Sequence, residues 1–345
     1  LRRRAPVTKI ATPITELANA IILDDVTDVF YRSLVYPFFL RCDADERTEL
    51  QAVLDHKLEL KLGRQLHWTA ALTSLDTVTH KFSHFVELIH SHKLDNKHLD
   101  KAMSDNYWLK PAFKKAQQSM DLHDDVARRL AAPSVQERTN ELVLQICWHY
   151  FHSQMTEISQ DILSRIFILS TLFVETAKDL AEQHGAEVEL DELYQLALFN
   201  AYPMVVLLRL FDKAMQSSKQ DMLNDIGMEN QEERQRVEAY QPSADILLSF
   251  FTFDEFVKPH VLESLNIPNN MQSNLIIGQQ EMTPACRIFL QGRTKAIREM
   301  LGNTMVLTQA QMERFKDQLG IKFQVDRSSE ASLKHEKVLS KLLAI

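Results

Sequence analysis

ILSRIFILSTLFVETAKDLAEQHGAEVELDELYQLALFNAYPMVVLLRLFDKAM, residues 162–215, decides how this chain is read. Its first half is one long amphipathic helix, with apolar residues returning every three or four positions. Gly185 marks a turn, since glycine is the residue that tolerates the left-handed backbone just past a helix end. A second helix follows and carries a long apolar run. Two consecutive helices of this kind, with no strand signal between them, set the expectation of an all-α protein.

The rest of the composition agrees. The chain has 345 residues, 45% of them hydrophobic, with only 7 Gly and 10 Pro. That is enough apolar material for a substantial core, and few breakers with many Leu, Ala, Glu, Gln and Lys favour helix. The net charge of −8 argues against a general nucleic-acid footprint or an anionic membrane surface as partner. The one basic run, Arg2-Arg3-Arg4, reads as a solvated terminus or linker. Cys42, Cys147 and Cys286 are odd in number and far apart, so no disulfide framework or zinc knuckle is suggested. No apolar run approaches the roughly 20 residues that span a bilayer, and no signal peptide is visible. A reduced, cytoplasmic setting is expected.

Outward from the central pair, residues 1–65 read as a helical N-terminal region. Leu50, Val53, Leu54, Leu58 and Leu62 form a helical stripe, and Gly63 is the expected stop. Val78, Phe82, Phe85, Val86 and Ile89 form a second stripe. Trp108, Ala112, Phe113 and Ala116 mark another helix, with Pro111 near its first turn, where proline is tolerated. ERTNELVLQICWHYFHSQM is a strongly apolar helix. Residues 216–243 are charge-rich and read as polar surface. ADILLSFFTFDEFVKPHVLESLN (244–266) resumes the core, and residues 283–301 form a further helix. Residues 304–345 form a C-terminal extension with an amphipathic helix from about Ser332.

Four segments in this order resemble the HDOD family, a catalytically degenerate branch of the HD phosphohydrolase superfamily, over about residues 72–303. LTSLDTV (72–78) looks like the family's Leu-Pro-x-Leu-Pro-x-Val opening without either proline. NYWLKPAFKKAQQS (106–119) is similar to its Asp-Pro-x-Leu…Leu-x-x-x-Asn-Ser helix, with Gln118-Ser119 where Asn-Ser is usual. SRIFILSTLFVETAKDLAEQHG (164–185) and DELYQLALFNAYPMVVLL (191–208) match the central pair, and 244–264 matches the helix–turn–helix that follows. The resemblance implies an HD-superfamily-like multi-helix bundle over residues 66–303. It also implies a regulatory, non-catalytic role beside bacterial signalling domains.

An active HD enzyme needs His and Asp converging on one or two metal ions, which generate hydroxide near neutral pH. By the resemblance, the first ligand position falls at Leu169 and the His-Asp pair at Phe199-Asn200, with Tyr202 after it. Leu and Phe carry no ligand atom, and a neutral amide is a poor substitute for carboxylate. Asp212 alone cannot hold a catalytic metal. Other histidines offer a weaker alternative. His80 and His84 are spaced for zinc, with Glu87, His90, His92 and His98 nearby, but thirteen histidines produce such pairs by chance. His123-Asp124 lies in a polar stretch, and His149 and His152 read as core-edge residues. There is no GxSxG, Walker A loop or GxGxxG.

The expectation is therefore a non-catalytic signalling module that binds a protein partner, or a small molecule or nucleotide in a groove at Leu169, Phe199, Asn200, Tyr202 and Asp212, with no metal or other cofactor. A metal-dependent phosphohydrolase with ligands from the His80–His98 region and Asp212 is the first alternative. A structural adaptor acting through its terminal helices is the second. Phe250, Phe251, Phe253 and Phe256 form a cluster read as core packing, with a partner groove as the alternative.

Overall fold

Leu190–Asp225 forms a single helix of 36 residues, about 54 Å long at 1.5 Å per residue. The other helices are arranged around it. The computed structural model of the chain describes residues 13, 30–32, 34–35, 49–66, 81–82, 84–86, 103–119, 139–264 and 282–302. Every element among them is helical. In order these are α1 (Glu49–Leu66), a 3-10 turn (Tyr107–Leu109), α2 (Lys110–Ser119), α3 (Thr139–His152), α4 (Glu157–His184) and α5 (Leu190–Asp225). They continue with α6 (Gln231–Glu238), α7 (Ala244–Phe251), α8 (Asp254–Ser264) and α9 (Pro284–Gly302).

The local signals are physical. Gly185 adopts φ 62°, ψ 30° after α4. Its N–H donates to the Glu182 carbonyl at 3.3 Å, and the Ala186 N–H donates to Ala181 at 2.9 Å, closing the helix end with a six-to-one and a five-to-two bond. Ser243 and Asn230 accept from the backbone of Ile246 and Glu233 and so cap α7 and α6. Thr283 does the same for the Cys286 N–H at 3.2 Å, and Pro284 takes the first helical position, where its missing donor costs nothing. Pro111 sits second in α2, as its sequence position implies.

Every residue of α5 from Leu196 to Leu208 is buried. A helix buried on all sides must have partners on all sides, and α5 packs against α1, α3, α4, α6, α7, α8 and α9. α2 packs on α3, and α9 lies along α4. By length and composition α5 is apolar enough to cross a membrane, yet its apolar window is 83% buried inside the bundle. Its apolarity is thus already used in packing. Asn200 and Arg209 interrupt its apolar run in the sequence.

α5 also runs ten residues past Met215, where the sequence suggested that polar surface begins. α1 accounts for this. Leu54, Leu58 and Leu62 are fully buried. Lys57 pairs with Asp225 at 3.2 Å and Lys61 with Asp221 at 2.6 Å, and Lys61 also donates to Ser217 at 2.7 Å. Such half-exposed pairs contribute no more than about 1 kcal/mol each, but they place a helix beside residues that look solvated in sequence. Gly63 does not stop α1, which continues to Leu66 with Gly63 buried inside it. Val53 is 41% exposed rather than part of the core stripe.

Phe30 and Tyr31 pack into the body from the same N-terminal region. Phe30 lies 5.7 Å from Phe173, with the Arg293 guanidinium 5.3 Å from its ring centroid. Tyr31 stacks on Phe251 at 6.3 Å and donates its hydroxyl to Asp254 Oδ2 at 3.0 Å. The described residues of 1–65 therefore share one hydrophobic core with those of 66–303. The expected C-terminal helix and Cys42 lie outside the described residues.

Gly292 is where α9 meets α4. A Cβ there would lie 2.7 Å from the backbone N and Cα of Ala177. Alanine gains about 1 kcal/mol of helix propensity over glycine, but overpacking against fixed backbone costs about 1–3 kcal/mol. Gly292→Ala is therefore expected to destabilise despite its better propensity. Urea unfolding should show a lowered midpoint with an unchanged slope.

Candidate functional site

The positions singled out in sequence fall on two adjacent helices, Leu169 on α4 and the others on α5, and all five are buried. Leu169 and Phe199 are core side chains. Tyr202 packs its ring on Phe82 and Phe151, at 5.7 and 6.1 Å.

Asn200 is 2% exposed, and its neighbour is informative. Lys258 of α8, also 2% exposed, donates from Nζ to Asn200 Oδ1 at 3.3 Å. The Cys286 thiol of α9 lies within the same electrostatic neighbourhood. Burial pushes its pKa up to about 11, the Lys258 ammonium pulls it down and Glu192 adds to the rise. Burial also raises Cys147 well above its ordinary value. Both thiols are thus protonated at neutral pH, which makes them poor nucleophiles. No local signal in the sequence of α8 pointed to Lys258 facing Asn200.

Asp212 lies twelve residues from Asn200 on the same helix, about 18 Å along the axis, so the two do not converge on one ion. Its carboxylate serves a different purpose. Oδ1 accepts the Thr156 N–H at 3.0 Å and the Thr156 hydroxyl, while Oδ2 accepts Gln216 Nε2 at 2.7 Å. Arg209 lies 3.6 Å away and also donates to the Gln154 carbonyl. Thr156 is the cap residue of α4; its hydroxyl reaches Ser159 Oγ at 3.5 Å but accepts from no backbone N–H of that helix. Asp212 therefore supplies from α5 the negative charge that the α4 N-terminus favours. Asp191 does the equivalent for α3, accepting the Asn140 N–H at 2.8 Å and the Asn140 amide at 2.7 Å. Burial raises the Asp191 pKa, while the bonds from Asn140 partly oppose that rise.

His149 and His152 flank Trp148 on α3, with ring centroids at 4.5 and 6.1 Å. Burial and the Lys115 ammonium lower His149 to about 4, with His152 adding a smaller push. Burial and Lys115 lower His152 too, against an opposing pull from Asp161. These are half-buried core-edge residues, as their apolar neighbours suggested. His84 is exposed, while His80, Glu87, His90, His92, His98, His123 and Asp124 lie outside the described residues. Among the described residues no three His, Cys, Asp or Glu side chains gather as metal ligands. Phe250 and Phe251 are buried, the former 5.7 Å from Phe211.

No family model, curated protein or solved structure matches the chain.

Two predictions follow from these contacts. Asp212→Ala strands the Thr156 donors beside the α4 N-terminus. It is expected to cost about 1.5–3 kcal/mol, the range for a hydrogen bond to a charged group, with Asp212→Asn costing less; chemical denaturation measures both. For His149 the folded pKa of about 4 lies below the ordinary 6.5, so the unfolded chain binds the extra proton between those values. Stability from the neutral imidazole is complete above pH 6.5 and is lost as pH falls toward 4. The acid-side fall in urea midpoint should be shallower in His149→Phe than in the parent.

Proposed function

We propose that this chain is a non-catalytic binding module built on an HDOD-like, degenerate HD-type helical bundle, acting in signal transduction through a protein partner. The observation that carries the reading is the Lys258 ammonium against Asn200. On the resemblance of residues 191–208 to the HD helix, Asn200 stands where a metal-binding aspartate is usual. A fixed ammonium 3.3 Å away supplies the cationic partner that a metal would otherwise be. A second cation beside it would meet direct Coulomb repulsion in a buried, weakly screened site. Leu169 and Phe199 add no ligand atom, and Asp212 is committed to the α4 N-terminus. The raised pKa values of Cys147 and Cys286 suit two structural thiols in a reduced, cytoplasmic setting.

Elemental analysis of protein purified without chelator or metal-affinity resin tests this. The expected result is well below one equivalent of Fe, Mn or Zn. One or two equivalents would overturn the reading and restore metal-dependent phosphohydrolysis with non-standard ligands.

A further inference from the structure

The outer face of α9 carries a depression of about 620 Å³ whose lining, among the described residues, includes Arg287, Lys295 and Arg298 and no carboxylate, in a chain of net charge −8. The fourth basic residue of the helix, Arg293, is turned inward and buried over Phe30, so the three on the outer face are a separate set. Arg287 and Arg298 are exposed, and among the described residues neither side chain forms an ion pair. Met282 and Leu290, half-buried, supply an apolar floor between them.

Arg287 and Arg298 are eleven residues apart, about 16 Å along the helix axis. A single phosphate needs donors that converge on one point, whereas these cations are strung along three turns. That length and the open shape fit a peptide segment. Carboxylates on the segment would meet the Arg287 and Arg298 guanidinium groups, and its apolar residues would rest on Met282 and Leu290. The chain's own neighbouring segments do not have this chemistry. Residues 303–345 carry seven Lys and Arg against five Asp and Glu, and residues 265–281 contain one acidic residue, Glu281.

We infer that the basic face of α9 is the docking surface for an acidic amphipathic segment of a partner protein. The inference names a surface for the protein partner of the proposed function, but it does not depend on the metal question. Metal content reports on the Asn200–Lys258 centre and is unaffected by changes on the outside of α9.

Fluorescence anisotropy on the full chain tests it, with a labelled amphipathic peptide of Glu, Ala and Leu at helical spacing as the probe. Saturable binding is expected, weakening by about tenfold or more as salt shortens the screening length. Arg287→Glu with Arg298→Glu should weaken it by about tenfold again, with the circular dichroism spectrum unchanged. Arg236→Glu, on α6, should leave it unaltered. No binding, equal binding by the double variant, or equal binding of a peptide with Gln in place of Glu would each overturn the proposal. Displacement of the peptide by stoichiometric ATP would overturn it in favour of a small-anion site. Faster hydrogen exchange of residues 303–345 in the double variant, without peptide, would overturn it in favour of the chain's own C-terminal segment.

Discussion

The all-round burial of α5 is the constraint on which the other elements depend. Thirteen consecutive residues, Leu196 to Leu208, are removed from water, and a helix that is apolar on every face is unstable unless every face is covered. Burying one Leu, Val, Phe or Met side chain is worth about 1.5–3 kcal/mol. The surrounding helices are held to α5 mainly by that term. Polar contacts then fix their positions, since hydrophobic burial is non-directional. Asp191 and Asp212 act in this way, each reaching from α5 to the N-terminus of a neighbour, α3 and α4 respectively. One helix thus provides both the apolar surface and the two anionic contacts that orient the pair packed beside it.

The same burial shapes the candidate site. Leu169, Phe199 and Tyr202 are buried there, and the Asn200 carboxamide is met by Lys258. A buried ammonium is costly without partners, so Lys258 is useful to the fold only while α8 remains docked against α5. The Tyr31–Asp254 hydrogen bond lies on the same helix and brings the N-terminal region into the arrangement. The polar groups of α8 therefore connect the N-terminal region, the central helix and the body.

Parts of this were legible in the chain and parts were not. The helical class, the turn at Gly185, the position of Pro111, the start of α9 at Thr283-Pro284 and the buried stripe of α1 all rest on short-range signals: period, capping chemistry and glycine's left-handed backbone. The misreadings have a common cause. Gly63 did not end α1, α5 did not end at Met215, and Val53 did not enter the core. Each outcome depends on which other helix lies alongside, and no local window contains that information. Asp212 stood out in sequence only as a remaining acidic position of the resemblance, and the approach of Thr156 from α4, which no local window contains, makes it a partner of another helix's N-terminus.

By itself, then, the sequence determined that this is a helical protein, that the 190–208 segment carries a long apolar run, and that Leu169 and Phe199 offer no metal-ligand atom. Those properties follow from residue type and spacing of a few positions. The tertiary structure alone decided that Lys258, fifty-eight residues from Asn200, faces its carboxamide. It also decided that Asp212 serves another helix's N-terminus, and that α9 turns Arg293 inward while leaving Arg287, Lys295 and Arg298 on one outer face. Charge, burial and hydrogen-bond partnership belong to pairs of residues distant in sequence. Their meaning is set when packing brings the pairs together.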